Sequence, residues 1–436
     1  MTTVDEQLRR ARRAGLGSFI GTTIEWYDFY IYSTASALVF GSLFFAESSP
    51  AAGVLASFAT LWVGFLARPL GGVIFGHLGD RIGRKQTLVV TLVLMGVATA
   101  GIGVLPTYAT AGVLAPILLV LLRCVQGIAV GGEWGGAVLI GAEHAPKGRS
   151  ILFGAYAQQG SPAGSILATL AFVSVTQLPD EVFRSWGWRV PFLISAVLVV
   201  VGLVIRLRVA ESPEFERLRQ QRQIVRAPLG EVVRTHPGML VLGVLASSIG
   251  IAATYFITTF ILSWSTSEVG MDRSVMLNAL LVYSIAQFVT QPFGALAAQR
   301  FGLARTVGTL LTINLLTVPV MYALVGTGNA VAAAVGITAV GITGAMNYAV
   351  LAGLLAQAFP ANVRYTGISL SYQLCSALIG GTAPMVGQGL YTSTHSIVPV
   401  AAYHVLLVAV SLVCSLLVIA RSRSRAAEPQ RLPQRC

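Results

Sequence analysis

An all-α membrane protein of twelve transmembrane helices, in two pseudo-symmetric six-helix bundles, is the fold class that this sequence predicts. Three observations predict it. The chain is 55% hydrophobic and only 11% charged, against about 25% charged in an ordinary soluble domain. Its apolar runs extend for roughly 20 residues or more, the length a helix needs to cross the hydrocarbon core; strands of a barrel would alternate over ~10 residues. One long polar connection, 210–237, divides these runs into two sets of six.

The spans are expected near 16–45, 52–75, 87–105, 113–141, 151–176 and 190–209, then near 238–264, 275–298, 306–325, 330–357, 366–391 and 398–420. The chain then divides into a tail (1–15), a first bundle (16–209), a basic amphipathic loop (210–237), a second bundle (238–420) and a second tail (421–436). The 46 glycines suit helices that pack closely in lipid. No cleavable signal peptide is expected, since 1–14 is charged and polar and no A-x-A site interrupts the run after it. The second tail has no heptads and cannot form a coiled coil.

Basic residues set the expected orientation. With the N-terminus inside, the inner segments hold Arg9, Arg10, Arg12, Arg13, Arg81, Arg84, Lys85, Lys147, Arg149, seven arginines from Arg206 to Arg234, Arg300, Arg305, Arg364 and five tail arginines. The outer segments hold only Arg184, Arg189 and Arg273. This asymmetry accounts for the net charge of +12, so nucleic acid is not an expected partner.

Several other classes drop out. Cys124, Cys375 and Cys414 lie inside spans and Cys436 at the terminus, so neither a disulfide nor a metal cluster is expected. The five histidines have no ligand spacing. There is no GxxxxGK[ST] loop for ATP-driven transport. No nucleophile–base pair suggests an enzyme.

The informative residues are charges inside spans, each costing roughly 3 kcal/mol at the bilayer centre by insertion scales. Glu25, Asp28 and Tyr32 project from nearly one face of the first helix as a polar stripe. Counting residues from the span ends puts Asp28 and Arg123 both near mid-bilayer, with Arg68 nearer the inner side. An Asp28–Arg123 ion pair would offset the burial cost and could switch with protonation. A permanent structural pair is the alternative. Arg68 has a fork suited to a carboxylate; snorkelling or packing is its alternative. Further donors are Tyr156 and Gln159 in span five, Tyr255 and Thr258 in span seven, and Tyr283, Gln287 and Gln291 in span eight. Asn347 and Tyr348 in span ten, and Tyr372 and Gln373 in span eleven, add to them. For each alone, ordinary interhelix hydrogen bonding is the competing reading.

GHLGDRIGRKQ, Gly76 to Gln86, resembles the loop signature of the major facilitator superfamily at Gly76, Asp80, Arg81, Gly83, Arg84 and Lys85. GTTIEWYDFYIY (Gly21 to Tyr32), ARPLGGVIFG (Ala67 to Gly76), RCVQGIAVGGEWGGA (Arg123 to Ala137) and FPANVRYTGISLSYQ (Phe359 to Gln373) are similar to its metabolite:proton symporter family, which includes shikimate, α-ketoglutarate, citrate and proline/betaine carriers. The second copy of the signature departs from the pattern: Gln299, Arg300 and Gly302 echo it, and Gln357 stands where an acid is expected.

The resemblance implies a major facilitator fold and proton-coupled uptake of a small organic acid by alternating access. Asp28 would take the proton, supported by Glu25, with Arg123 as charge partner. Arg68 and Arg123 would meet the substrate, with Tyr32, Tyr156, Gln159, Tyr255, Gln287, Asn347, Tyr372 and Gln373 orienting it. Asp80, Arg81, Arg84, Glu143 and Arg149 would form an inner gate latched mainly by the first half, with Gly76, Gly83, Lys85, Glu133 and Arg364 beside them. No cofactor is expected, the proton gradient supplying the drive. The expected partners are a carboxylate-bearing small molecule, protons and lipids, around a monomer in a bacterial inner membrane. The rivals are an exporter or uniporter on the same fold, or a membrane sensor, for which a sizeable soluble output domain is missing.

Overall fold

The structure, a computed structural model, describes residues 4–82, 84–131, 158–207, 229–359 and 364–427, with 4–14, 76–82, 84, 85, 88, 206, 229, 231, 352, 356, 364, 365 and 423–427 described by backbone only. Among the described residues every regular element is helical. Helix α1 (Val4–Ala35) continues through a π-turn, Ser36–Phe40, into Gly41–Phe44. After it come α2 (Pro50–Ile82), α3 (Arg84–Gly103), α4 (Leu114–Gly131), α5 (Gly160–Thr176) and α6 (Val190–Leu207). The second half opens with α7 (Pro237–Ser267), which contains a π-turn at Phe256–Ile261. It continues with α8 (Arg273–Phe301), α9 (Leu303–Gly326) and α10 (Ala330–Ala358). Helix α11 runs Arg364–Cys375, through a third π-turn at Ser376–Gly380, to Ala383–Thr394, and α12 is Val398–Ala427.

Local chemistry sets the ends. Asp272 caps α8 by accepting from the Ser274 amide at 2.7 Å, and Asn329 caps α10 by accepting from Val331 and Ala332 at 3.0 Å each. Gly302, at φ 86°, separates α8 from α9 in a backbone region open to glycine. Among the described residues, eight helices are long and apolar enough to span a membrane on their own; α3 and α5 contribute the shorter apolar stretches Val89–Gly103 and Gly160–Thr176.

One sequence expectation needs correction. The described residues of the signature segment are helical rather than a loop: α2 runs to Ile82 and α3 resumes at Arg84. Helix α1 begins at Val4, inside the expected first tail, and α12 continues past residue 420 to Ala427. A 20-residue apolar criterion locates the part of a helix inside lipid; backbone hydrogen bonds carry the helix onward into water at little cost.

The outer surface is apolar, with Val97, Leu316 and Val331 among the most exposed apolar side chains, while many serines and threonines and the charged residues Glu25, Asp28, Arg68 and Arg123 are buried. Close helix contact needs glycine at the crossings. A Cβ on Gly127 of α4 would lie 2.0 Å from the Gly64 carbonyl oxygen of α2, and one on Gly294 of α8 would lie 2.1 Å from that of Met346 in α10. Hydrogen bonds join the halves along several seams. Ser165 of α5 bonds Ser284 of α8 at 2.7 Å. Ser33 of α1 bonds Thr258 at 3.3 Å and also Thr259, both in the π-turn of α7. Trp62 of α2 donates to the Ala377 carbonyl in the π-turn of α11 at 2.8 Å.

Candidate functional site

Two buried arginines from different helices are held on aromatic faces at the centre of the first half. The Arg68 guanidinium (α2) lies 4.3 Å from the ring centre of Phe29 and 4.4 Å from that of Phe65. Arg123 (α4) lies 4.8 Å from Phe29 and 4.1 Å from Tyr32. Both are almost fully buried, at 4% and 1% exposure. Arg123 fits because position 64 is glycine: a Cβ there would come 2.4 Å from its Nε. A ring face holds a cation without occupying its N–H groups. Accordingly Arg68 Nε and Arg123 Nε and Nη2 are buried with no hydrogen-bond partner. Each such donor costs about 1–3 kcal/mol or more when charged. A carboxylate, accepting two parallel N–H bonds, is the ligand chemistry that removes this cost.

Asp28 (α1) is 1% exposed and accepts from Ser195 Oγ of α6 at 2.5 Å and from Thr99 Oγ1 of α3 at 2.9 Å. It makes no direct ion pair with Arg123, which corrects the simplest sequence expectation. The two charges are joined by a directional chain instead. Arg123 Nη1 donates to Gln126 Oε1 at 3.0 Å, and Gln126 Nε2 donates to Thr99 Oγ1 at 2.6 Å. Thr99 then points its hydroxyl at Asp28, with the Met95 carbonyl as a second acceptor, also at 2.9 Å. Glu25 is buried and lies within Coulombic reach of Asp28 and of Tyr255 and Tyr348 across the seam. The polar stripe therefore splits. Three residues along a helix rotate the side chain by about 60° from eclipse, enough to send Asp28 between α3 and α6 and Glu25 toward the second half.

Within the seam lies a cavity of about 30 Å³, bounded by Trp26, Tyr30 and Ser161 of the first half and Tyr283, Gln287 and Tyr348 of the second. That is room for a water rather than a metabolite, so a larger solute enters only when the halves part. Tyr30 OH and Ser161 Oγ are 3.2 Å apart, and Tyr348 OH and Tyr372 OH 2.9 Å apart. Trp26 meets Tyr348 edge-on across the halves, with ring centres 6.5 Å apart. Around this seam Tyr255 OH, Gln291 Nε2 and Gln373 Oε1 are buried without hydrogen-bond partners. Such a concentration of unsatisfied polar atoms is what a polar solute's path requires.

The remaining expected residues fall as follows. Tyr32 bonds Thr60 Oγ1 at 2.6 Å, so its hydroxyl is committed to packing while its ring carries Arg123. Gln159 donates to the Phe288 carbonyl and is an interhelix bridge, not a cavity group. Asn347 is buried in α10 beside Tyr348, which lines the cavity, but does not line it itself. Gly76, Asp80, Arg81, Arg84, Lys85 and Arg364 are described by backbone alone, and Gly83, Glu133, Glu143, Arg149 and Tyr156 lie outside the described residues. Sequence reasoning missed Phe29, Phe65, Thr99, Gln126 and Ser195. Only Gln126, an amide three residues after a buried arginine, carried a readable signal.

It also missed an ionic cluster on the face opposite the chain termini. Asp180, between α5 and α6, pairs with Arg184 at 2.7 Å and with Arg273 at the start of α8, so it ties the two halves together. The Arg273 and Arg184 guanidinium groups hold the Asp180 carboxyl below the usual carboxylate range. Arg184 also donates to Ser42 Oγ at 3.2 Å, and Arg273 lies 4.7 Å over the Phe183 ring.

The chain resembles known carriers at the level of sequence and of fold. Residues 16–235 match the family model described as sugar (and other) transporter. The shikimate transporter of Escherichia coli K12 is 42% identical over 391 residues, covering 88% of this chain and 89% of that protein. The inner membrane metabolite transport protein YhjE of the same organism is 39% identical over 407 residues, covering 90% and 92%. The partially occluded inward-open xylose transporter XylE of E. coli superposes with a TM-score of 0.74 at 17% identity, covering 94% of this chain and 98% of that one, a likeness of fold. Motifs, helix count and relatives converge, and the chain belongs to the sugar-and-other-transporter family of the major facilitator superfamily, as a membrane transporter of metabolites.

Proposed function

We propose that this transporter takes up a small carboxylate-bearing metabolite together with protons, by alternating access between its two halves. The observation that carries the reading is the pair of buried arginines, Arg68 and Arg123, held on aromatic rings with N–H groups left unpaired. A neutral cargo gives no reason to bury two cations near one ring. The excess of basic residues on the side of the termini supports a cytoplasmic location for both, with the Asp180 cluster then facing outward. The proton gradient supplies the drive, and no bound cofactor takes part.

Coupling follows from the chain of donors between Arg123 and Asp28. While Asp28 is ionised, Thr99 donates to it, Gln126 donates to Thr99, and Arg123 is held through Gln126. Once Asp28 takes a proton, Thr99 turns to the Met95 carbonyl, which frees Gln126 to reorient and Arg123 to engage the cargo. Proton and carboxylate thus bind as a neutralising pair, and rocking of the halves around a filled site carries both. One relative is named for shikimate, a hydroxylated carboxylate, which agrees with this cargo class.

The test is a thermal-shift panel on purified protein, comparing organic acids with their amides and with zwitterions, since a bound ligand stabilises by mass action. An acid is expected to raise the unfolding temperature where its amide does not. Stabilisation by neutral sugars alone would end the carboxylate reading.

A further inference from the structure

A second cavity, about 510 Å³ in volume, lies between the halves on the face opposite the chain termini. This is within the ~300–1,000 Å³ range of small-molecule sites. Ser36 and Ser42 of the first half, Ser263 and Thr266 of α7, and two arginines, Arg184 and Arg273, line it, and among the described residues no acidic side chain does. Ser36 is 1% exposed and its Oγ has no hydrogen-bond partner. A surface of hydroxyl donors under two guanidinium groups is an anion site in its chemistry. The anion those arginines now hold is the chain's own, the Asp180 carboxylate, standing outside the cavity wall with its side chain 53% exposed.

We infer that this cavity is an entry site for anionic cargo, in which the cargo carboxylate replaces Asp180 on Arg273 and Arg184. Asp180 and Arg184 belong to the first half and Arg273 to the second. The exchange therefore cuts the ion pair that ties the halves on this face at the moment a cargo docks. Asp180 swings into water, where its charge is solvated, and the arginines stay paired throughout. Docking and unlatching become one ion exchange, and a solute without a carboxylate does neither. The inference rests on the reading of the cargo as a carboxylate and of this face as external.

The experiment is uptake of radiolabelled shikimate, or of whichever panel acid stabilises the protein, into vesicles of known sidedness. Wild type is compared with Arg273→Gln and with the charge swap Asp180→Arg/Arg273→Asp. The swap keeps an ion pair between the halves but puts an acid on the cavity wall. Both variants are expected to raise the half-saturating concentration on the external side about fivefold or more, with that on the cytoplasmic side unchanged. A swap that restores wild-type external affinity makes the pair a latch alone and overturns the entry site. An unaltered Arg273→Gln does the same. If wild type carries none of the acids, the carboxylate reading itself has failed, and the entry site with it.

Discussion

Arg68 of α2 and Arg123 of α4 rest against one ring, that of Phe29 in α1, at 4.3 and 4.8 Å. Two like charges are thereby concentrated around one side chain in the interior of a membrane protein, an arrangement costly on its own. The ring offsets part of that cost and leaves the guanidinium edges for something else. Because Phe29 adjoins Asp28, movement of α1 affects both the cation pair and the acid.

Substituting Arg68→Lys keeps the charge and removes the planar fork. Carboxylate affinity, read by titration calorimetry, should fall about tenfold, with a smaller loss for the matching amide. Equal losses for acid and amide would assign Arg68 to packing.

Position 64 offers a subtler lever. Gly64→Ala directs a Cβ at Arg123 Nε, 2.4 Å away, and the side chain can give way. The variant should fold and bind carboxylate severalfold more weakly. Gly127→Ala instead meets the Gly64 backbone carbonyl at 2.0 Å, which cannot move without parting α2 from α4. Its yield of monodisperse protein in size-exclusion chromatography should collapse; normal yield would refute this packing argument.

Breaking the chain between Asp28 and Arg123 should loosen coupling without abolishing transport. Gln126→Leu and Thr99→Val each remove one link. The accumulation ratio at a fixed pH gradient should drop in both, while exchange flux persists. An unchanged ratio means that the chain carries no information between acid and cation.

The Asp180 cluster makes a pH prediction. Its carboxyl titrates below the ordinary Asp value of about 3.9 because of Arg273 and Arg184. A depressed pKa stabilises the paired state above the ordinary value, and that contribution is lost only as pH falls through the lowered one. Closure of this face, measured between spin labels on the α5–α6 connection and the start of α8, should be constant from about pH 8 to about pH 5. Since Asp180 is half exposed, Asp180→Asn should shift the closed population by no more than about 1 kcal/mol. Widening near neutral pH in wild type would show that another group controls the face.

The helices were legible in the sequence because long apolar runs have few other solutions in a chain this poor in charge. Asp28 and Arg123 were placed at one depth by counting residues, and the chain of bonds between them agrees with that placement. Their mediators were not legible: Thr99 and Ser195 are ordinary hydroxyls, and their role depends on which faces of α3 and α6 turn inward. Phe29 gave no signal either, since an aromatic residue in an apolar span reads as core. Asp180 reads as a solvated loop acid, and only the fold brings Arg273, 93 residues later, against it. The helical course of the signature segment was hidden because hydropathy marks where lipid ends, not where a helix does.

Proton coupling through Asp28 is tested most directly by removing its charge. Asp28→Asn preserves size but cannot ionise: its amide oxygen can accept from one of the Ser195 and Thr99 hydroxyls, and its NH2 donates to the other. In reconstituted vesicles with an imposed pH gradient, wild type should accumulate the carboxylate above its external concentration. The Asn variant should exchange labelled for unlabelled cargo yet never exceed equilibration. Uphill accumulation by Asp28→Asn at the wild-type level would contradict the account.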